Sequence, residues 1–303
     1  MYLERCTNEQ LQEIYNDFQA TEESIKNDIQ YLIEWLEKQP HLPKIKDEEM
    51  LTNFLLRGKL SLEKTKKIID NYYTARAIMP DIFEDRDPCQ KEIEDVYKYA
   101  SYVPMPKLTS DGYRIVIFRI FDPETTNLPT PENIMKATQI GLDISLKLDK
   151  FRGMTVIYDL ENTSMTFISL LLPMLKKFFA LGNKVTPIHY NKFYILHLKP
   201  AVEPLIEFAR GLVKKELADR VVFWKKSPTD LVEVLPKDIL PINYGGTERP
   251  LEELRDLWCE QIKMYREWFE SEKHIKADLA KRPLDSDGTQ YGIDGSFRKL
   301  CLD

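Results

Sequence analysis

The sequence has few of the residues that catalytic and metal sites use. Its 303 residues include four cysteines and four histidines, and no two cysteines form a CxxC pair. A structural zinc site needs clustered thiolates and imidazoles, so none is predicted. The GxSxG, GxxxxGK[ST] and HExxH motifs of hydrolases, nucleotide-binding loops and zinc proteases are also missing. These absences argue against an enzyme and against a bound cofactor.

Long apolar runs and an excess of positive charge are missing as well. The formal net charge of -6 argues against a general nucleic-acid binder. The most apolar stretch, residues 165–175, is far shorter than the roughly 20 residues of a membrane span. The charged N-terminus lacks the apolar segment of a signal peptide. We therefore expect a cytoplasmic protein, a monomer that touches membranes only transiently.

Residues 1–88 predict a small helical domain. Apolar side chains recur at helical spacing over residues 8–19 and again after Thr21, Asp47 and Ser61, which are suitable helix caps. Pro80 is expected to end this block of four helices.

Strands and helices alternate over residues 89–247. Strands are predicted at 113–121, at 154–160, once or twice within 187–199, and at 221–224. The helices between them are predicted at 130–148, 164–181 and 200–217. This alternation indicates an α/β fold with a mostly parallel sheet. Residues 248–303 form a C-terminal extension, with one long polar helix at about 248–276 and a tail rich in Gly and Asp.

The helix at 200–217 is more apolar than one packed side requires. Its polar residues form a narrow stripe at Glu203, Glu207, Arg210 and Lys214. A helix on a sheet needs about a third of its surface apolar, so the excess must touch another helix, a ligand or a membrane. On this pattern alone, a helix wedged into a large core is an equally good interpretation.

A basic cluster beside this helix favours contact with a membrane. Five basic residues fall within thirteen positions of a net acidic chain: Lys214, Lys215, Arg220, Lys225 and Lys226. A wide apolar face next to basic residues is typical of segments that dock on anionic membranes.

Four residues near strand ends are candidates for acid–base chemistry. Asp159 and Glu161 follow the second predicted strand, but carboxylates at strand ends more often cap loops. His189 and His197 have no neighbouring nucleophile in the sequence, which favours structural roles for both.

Several segments, in order along the chain, carry a family resemblance. They are residues 53–59, 71–76 with Pro80, 156–161, 238–246 and 295–300. Together they resemble the CRAL-TRIO family, and the last is similar to tails in the branch of tocopherol and retinaldehyde carriers. Asn243 departs from the acidic residue usual at its position.

This resemblance implies a carrier that exchanges a hydrophobic small molecule (tocopherol-, retinoid- or isoprenoid-like) between membranes. The sheet would floor a closed cavity, and a movable gate helix at 200–217 would cover it. Helix and strand phase, together with the position of the ligand in the family, give these expected lining residues: Ile140, Ile144, Met154, Val156, Tyr158, Phe167, Leu171, Leu175, Phe178, Ile188, Val202, Ile206 and Phe208. For any one of them, ordinary core packing is an equal alternative.

The resemblance also implies contact with phosphoinositides in anionic membranes. Lys59, Lys184 and Arg220 match basic positions of the tocopherol-carrier branch, and Lys214 and Lys215 join them from the basic cluster. Thr186 and Glu216 stand where the related carriers are basic.

Two other functions remain open at this stage. One is a lipid-sensing regulatory or scaffold protein that binds phosphoinositide membranes, and protein partners through the C-terminal helix, with Leu251, Leu254, Leu257, Trp258, Ile262 and Tyr265 as its docking surface. The other is a hydrolase with a scattered catalytic set, for which the sequence offers no nucleophile.

Overall fold

The computed structural model describes residues 2–174, 177, 181, 185, 188–211 and 215–283. Leu175, Phe178, Lys184, Thr186, Lys214 and the segment 295–300 therefore lie outside the described residues. Among the helices described, none combines the length and the apolar character that crossing a bilayer would need.

The N-terminal region consists of the four predicted helices and two more. The predicted ones are α1 (Asn8–Asp17), α2 (Glu22–Glu37), α3 (Glu48–Arg57) and α4 (Leu62–Ile78). Each begins after a side chain that accepts a bond from a backbone N–H in the first turn: Thr7, Thr21, Asp47 and Ser61. Pro80 does not end the block but begins α5 (Pro80–Phe83), because proline is tolerated in a first helical turn. Helix α6 (Lys91–Tyr99) was not predicted.

A sheet of five strands follows, in the spatial order β1-β2-β3-β4-β5. The predicted strands are confirmed as β2 (Tyr113–Ile120), β3 (Gly153–Asp159), β4 (Tyr190–Leu196) and β5 (Val221–Phe223), all parallel to one another. Only one strand, β4, lies within residues 188–199. Strand β1 (Ala100–Leu108) was not predicted and pairs antiparallel with β2 at the edge. The predicted fold class is confirmed.

The described helices that connect the parallel strands pack mainly on one face of the sheet, here called the crossover face. They are α7 (Pro131–Leu148), α8 (Met165–Leu171), α9 (Glu203–Gly211) and α10 (Lys215–Ala218). Phe118 contributes to one apolar cluster with Ile140 of α7 and Phe167 of α8, and Ile195 clusters with Val202. Connections on a single face follow when each new parallel strand is added on the same side with the same handedness.

The opposite face of the sheet packs against the C-terminal part of the chain. Ile117 and Ile157 lie in a cluster with Leu240 and Leu251. The predicted long helix is two helices, α11 (Leu251–Lys263) and α12 (Arg266–Glu272), since the chain turns at residues 264–265.

The surface proposed for partner docking is largely inside the fold. Leu251, Leu254, Trp258 and Ile262 are at most 3% exposed, because α11 covers the β1 side of the sheet. That prediction is wrong for these four side chains. The helical periodicity that suggested a docking face is the periodicity of a core face.

A buried ionic cluster links the N-terminal helices to α7. One carboxylate oxygen of Asp143 accepts bonds from Arg76 Nη2, at 2.6 Å, and from Arg86 Nη1. All three side chains are at most 4% exposed. Burial disfavours the charged form of Asp143, but the two guanidinium groups outweigh it and leave the pKa of this carboxyl below its ordinary value.

Candidate functional site

Aromatic side chains line the crossover face from β1 to β4. Phe118 lies 4.8 Å from Tyr102 and 5.9 Å from Tyr158, measured between ring centroids. Phe193 continues the row at 6.4 Å from Tyr158, and Tyr190 follows at 4.9 Å. Spacings of this size are those of interacting ring pairs. These five residues are called the aromatic wall.

The wall is enclosed by protein, yet it is not fully covered. Burial raises the pKa of Tyr102 to about 12, and it raises the pKa values of Tyr158 and Tyr190 above their usual range. Tyr102, Tyr158, Tyr190 and Phe193 nevertheless keep an intermediate accessible surface. Side chains that are enclosed by protein and still partly accessible are expected where they border an internal space.

The structure gathers the described lining candidates around Tyr158. Tyr158 packs against three clusters: one with Ile140, Ile144 and Phe167, one with Met154 and Val156, and one with Val202. These six side chains are at most 6% exposed. Among the described candidates, Tyr158, Leu171, Ile188 and Ile206 keep an intermediate accessible surface, and Phe208 is exposed.

Phe208 does not lie with the others. It is 48% exposed, whereas Ile206 is partly buried against the cluster of Val202. Two residues apart on a helix are about 200° apart around its axis, so Phe208 cannot face the sheet with Ile206. Phe208 was predicted to line the cavity, but its side chain lies on the outer surface.

The helix α9 is attached to the fold by few side chains. None of the described residues Glu203–Gly211 is buried. Leu205 and Ile206 supply the contacts to the cluster of Leu160, Ile168, Ile195 and Val202. Because little apolar surface holds the helix down, its detachment from the sheet costs less than that of α7.

The aromatic wall ends near a guanidinium group. Arg57 closes α3 and lines a small cavity of about 10 Å³ with Phe54, Ile68, Leu142, Leu146, Val185 and Ile188. The guanidinium carbon of Arg57 lies 3.7 Å from the centroid of the Phe151 ring. Arg57 was not predicted as a ligand-site residue, because arginine is common at the end of a helix.

Basic side chains surround an open groove at the edge where the parallel strands begin. Lys59, Arg152 and His189 line this basic groove, which measures about 440 Å³, together with Asp17, Phe18, Leu56 and Tyr113. Burial first, and then the positive charges of Lys59, Arg220 and Arg152, lower the pKa of His189 to about 4. His189 is therefore neutral at pH 7 within a cationic site.

The basic groove brings together only part of the predicted membrane set. The positive charges of Lys59 and Arg220 both lower the pKa of His189. Lys215 lies elsewhere on the surface, exposed and paired with Asp219 at 2.8 Å. Arg152, which was not predicted, pairs with Asp17.

A sequence signal for this convergence did exist. Arg152, His189 and Arg220 each stand directly before a strand, β3, β4 and β5 in turn. Parallel strands begin at the same edge of a sheet, so residues directly before adjacent strands become neighbours.

The carboxyl ends of the strands carry the other polar cluster. Ligand atoms of Asp159, Glu161 and His197 lie within 4.8 Å of one another, a spacing that could hold a metal ion. However, one Asp159 oxygen accepts bonds from His197 Nδ1, at 2.7 Å, and from the Glu161 backbone N–H. The other accepts the Tyr244 hydroxyl at 2.8 Å. Protein donors thus satisfy the carboxylate, which favours the predicted capping role.

Comparison with known proteins agrees with this architecture. Residues 99–246 match the family described as "CRAL/TRIO domain", and residues 21–93 match "Pinta-like, UBA domain". Proteins named "Alpha-tocopherol transfer protein-like" from Homo sapiens and Pongo abelii are each 24% identical over 229 residues, which is 74% of this chain. The match spans 66% of the length of these relatives. The crystal structure of Sfh5 covers 86% of this chain and 99% of its own, with a TM-score of 0.50 and 12% identity, and so shares the fold.

Proposed function

We propose that this chain is a carrier for a hydrophobic small molecule and not an enzyme. The match of residues 99–246 to the CRAL/TRIO domain and the 24% identity to proteins named "Alpha-tocopherol transfer protein-like" support this proposal. It binds a hydrophobic small molecule between the crossover face and α9. It then exchanges this ligand with membranes when α9 moves. The printed name of the relatives speaks of tocopherol transfer; for this chain the proposal extends to the class of apolar, isoprenoid-like molecules.

The observation that carries the proposal is the aromatic wall beneath a weakly held helix. Burying an apolar ligand contributes roughly 25 cal/mol per Å² of its surface, so an apolar wall alone supports tight binding. The wall includes Tyr102, Tyr190 and Phe193, which add to the lining set predicted from the sequence. Tyr158 lies at its centre and retains accessible surface for a ligand. The roles of the other candidate lining residues remain part of this proposal.

The exposed face of α9 supports a role at membranes. Phe208 is 48% exposed, and Met165 and Leu172 on the neighbouring connection are 51% and 45% exposed. Aromatic and aliphatic side chains on such a surface insert into the boundary between lipid headgroups and acyl chains. We propose that Phe208 enters the membrane when α9 opens.

Phosphoinositide contact is the second part of the proposal. The cationic environment of His189 favours an anionic headgroup in the basic groove, with Lys59, Arg152 and Arg220 as its partners. Lys184 and Lys214, outside the described residues, remain candidates from the sequence. Lys215 would contact the membrane from the exposed surface.

A transfer assay with a matched pair of variants tests the carrier function. Purified protein would move a fluorescent apolar probe, such as a labelled tocopherol, from donor to acceptor vesicles that contain anionic lipid. Replacing Phe208 by Ser should slow transfer roughly three- to tenfold, since partial insertion of a Phe is worth about 1 kcal/mol. Met264→Ser removes an equally apolar side chain, 76% exposed, at the end of α11 and should leave the rate unchanged.

Two results would contradict the proposal. Absence of binding and transfer by the unaltered protein, tested with a labelled tocopherol and with a fluorescent fatty acid, would exclude the carrier function. Equal rates for Phe208→Ser and the unaltered protein would exclude membrane entry of α9 at this residue.

A further inference from the structure

Arg57 lies where the apolar interior meets the basic groove. It lines the small cavity with Ile188, and its charge interacts with the phenol of Tyr190. Tyr190 is the last ring of the aromatic wall, 4.9 Å from Phe193. An elongated molecule lying along the wall would therefore end at a guanidinium group.

The described contacts of Arg57 leave its charge without an acidic partner. Its Nη2 donates to the Ser145 hydroxyl at 3.3 Å, and its guanidinium plane approaches Phe151. The carboxylate whose charge acts on Arg57 is that of Asp149. Both oxygens of Asp149 are already bonded to Arg114, at 2.7 and 2.9 Å.

Arg57 stays charged despite this position. Burial lowers its pKa to about 10, although Asp149 and Tyr190 act in the opposite direction. At pH 7 the guanidinium is therefore protonated. The side chain keeps an intermediate accessible surface. A positive charge that is partly withdrawn from water is still stabilised by an anion or by several hydrogen-bond acceptors.

We propose that the ligand is an apolar chain ending in a carboxylate, and that Arg57 binds this carboxylate inside the fold. The inference rests on the proposed carrier function and names the chemical class of its ligand. The guanidinium fork can donate two parallel bonds to the two oxygens of a carboxylate. The ligand then supplies the negative charge that the described neighbours of Arg57 do not.

A single cation and a small space favour a carboxylate over a phosphate. A phosphate monoester carries about -1.5 to -2 charges at pH 7, more than one guanidinium neutralises. The cavity beside Arg57, about 10 Å³, has room for about one water molecule. A compact head of two oxygens needs less space beside Arg57 than a bulky ring does.

Paired probes that differ only in the head group test the proposal. The full-length protein, freed of lipid by detergent exchange, would be titrated with the fluorescent fatty acid cis-parinaric acid and separately with its uncharged methyl ester. We expect the acid to bind roughly ten- to hundredfold more tightly, which is the effect of a charge-assisted hydrogen-bonded pair. Arg57→Met should abolish this preference by weakening acid binding alone, and Arg57→Lys should retain part of it.

Controls separate this outcome from misfolding and from failure of the carrier function. Lys67→Met removes an exposed charge from α4 and should keep the preference for the acid. Undiminished ester binding by Arg57→Met would show that the variant folds. Equal affinity of the unaltered protein for acid and ester, or equal loss of both in Arg57→Met, would overturn the proposal and leave Arg57 with a packing role against Phe151. If neither probe nor a labelled tocopherol binds, the carrier function itself fails.

Discussion

At the scale of single residues, buried charges are the most specific feature of this molecule. Asp143 lies between Arg76 and Arg86, and Arg114 spans Asp149 and three backbone carbonyls. In both sites the guanidinium groups have carboxylate partners. Arg57 differs because its described contacts are a hydroxyl and an aromatic ring. This contrast is the reason to propose a ligand-binding role for Arg57 and a stabilising role for Arg76, Arg86 and Arg114.

Replacing Asp143 by Asn should destabilise the fold by about 3–5 kcal/mol, because two buried guanidinium groups lose their counter-charge. The measurement is the free energy of unfolding from urea titration. Glu63→Gln breaks the surface pair with Lys66 and should cost about 0–1 kcal/mol.

The same ionic cluster predicts how this loss depends on pH. The folded protein holds the pKa of Asp143 below its ordinary value, so its contribution is present at neutral pH and is lost as pH falls through the folded pKa. The two proteins should therefore differ in stability near pH 6 and converge below about pH 4. A difference that stays constant down to pH 3 would contradict the assignment.

At the scale of elements, the crossover helices differ in how firmly they are held. Half of α7 is buried, including Ile140, Asp143 and Ile144, and α3, α5 and α6 pack against it. Helix α9 has no buried residue in its described length. The edge strand β1 contains Pro104 and Pro106, and its pairing with β2 shifts register between Pro104 and Leu108. The two prolines are the reason that β1 was not predicted, because a segment that contains proline forms a strand only at the edge of a sheet or at a bulge.

Hydrogen exchange should report the difference between α7 and α9. We expect amides of α9 to exchange at least roughly tenfold faster than those of α7, because local opening of α9 exposes little apolar surface. Mass spectrometry of peptic peptides covering residues 131–148 and 203–211 makes the comparison within one sample. Equal protection of the two helices would contradict a movable α9.

At the scale of the whole molecule, the net charge must be reconciled with the proposed membrane contact. The chain carries a net charge of -6, so an anionic membrane repels it on average. Attraction therefore has to come from local groups, the basic groove and the neighbouring lysines. Each basic residue near an anionic surface contributes about 1 kcal/mol, which makes the effect collective.

Removing three of these charges together should separate docking from ligand binding. The triple variant Lys214→Ala, Lys215→Ala and Arg220→Ala is expected to slow transfer between anionic vesicles roughly ten- to hundredfold, with affinity for ligand in solution nearly unchanged. Added salt should slow the unaltered protein toward the rate of the variant, because ions screen surface charges.

The matched control is the variant Lys26→Ala, Lys38→Ala and Lys46→Ala, which removes three exposed charges from the N-terminal region. It should transfer at the normal rate. Equal slowing of both triple variants would attribute the effect to net charge, and no slowing of either would refute the docking role.

The sequence by itself predicted most of the local structure and a resemblance to the CRAL-TRIO family. Caps at Thr21, Asp47 and Ser61 and the alternation of strands with helices act over a few residues, so they can be read without knowing the path of the chain. The tertiary structure alone decided which distant residues meet: Arg57 with Phe151, Arg152 with His189, and Leu251 with Ile157. It also decided that Phe208 faces outward, because helical periodicity states which residues share a side but not what that side touches.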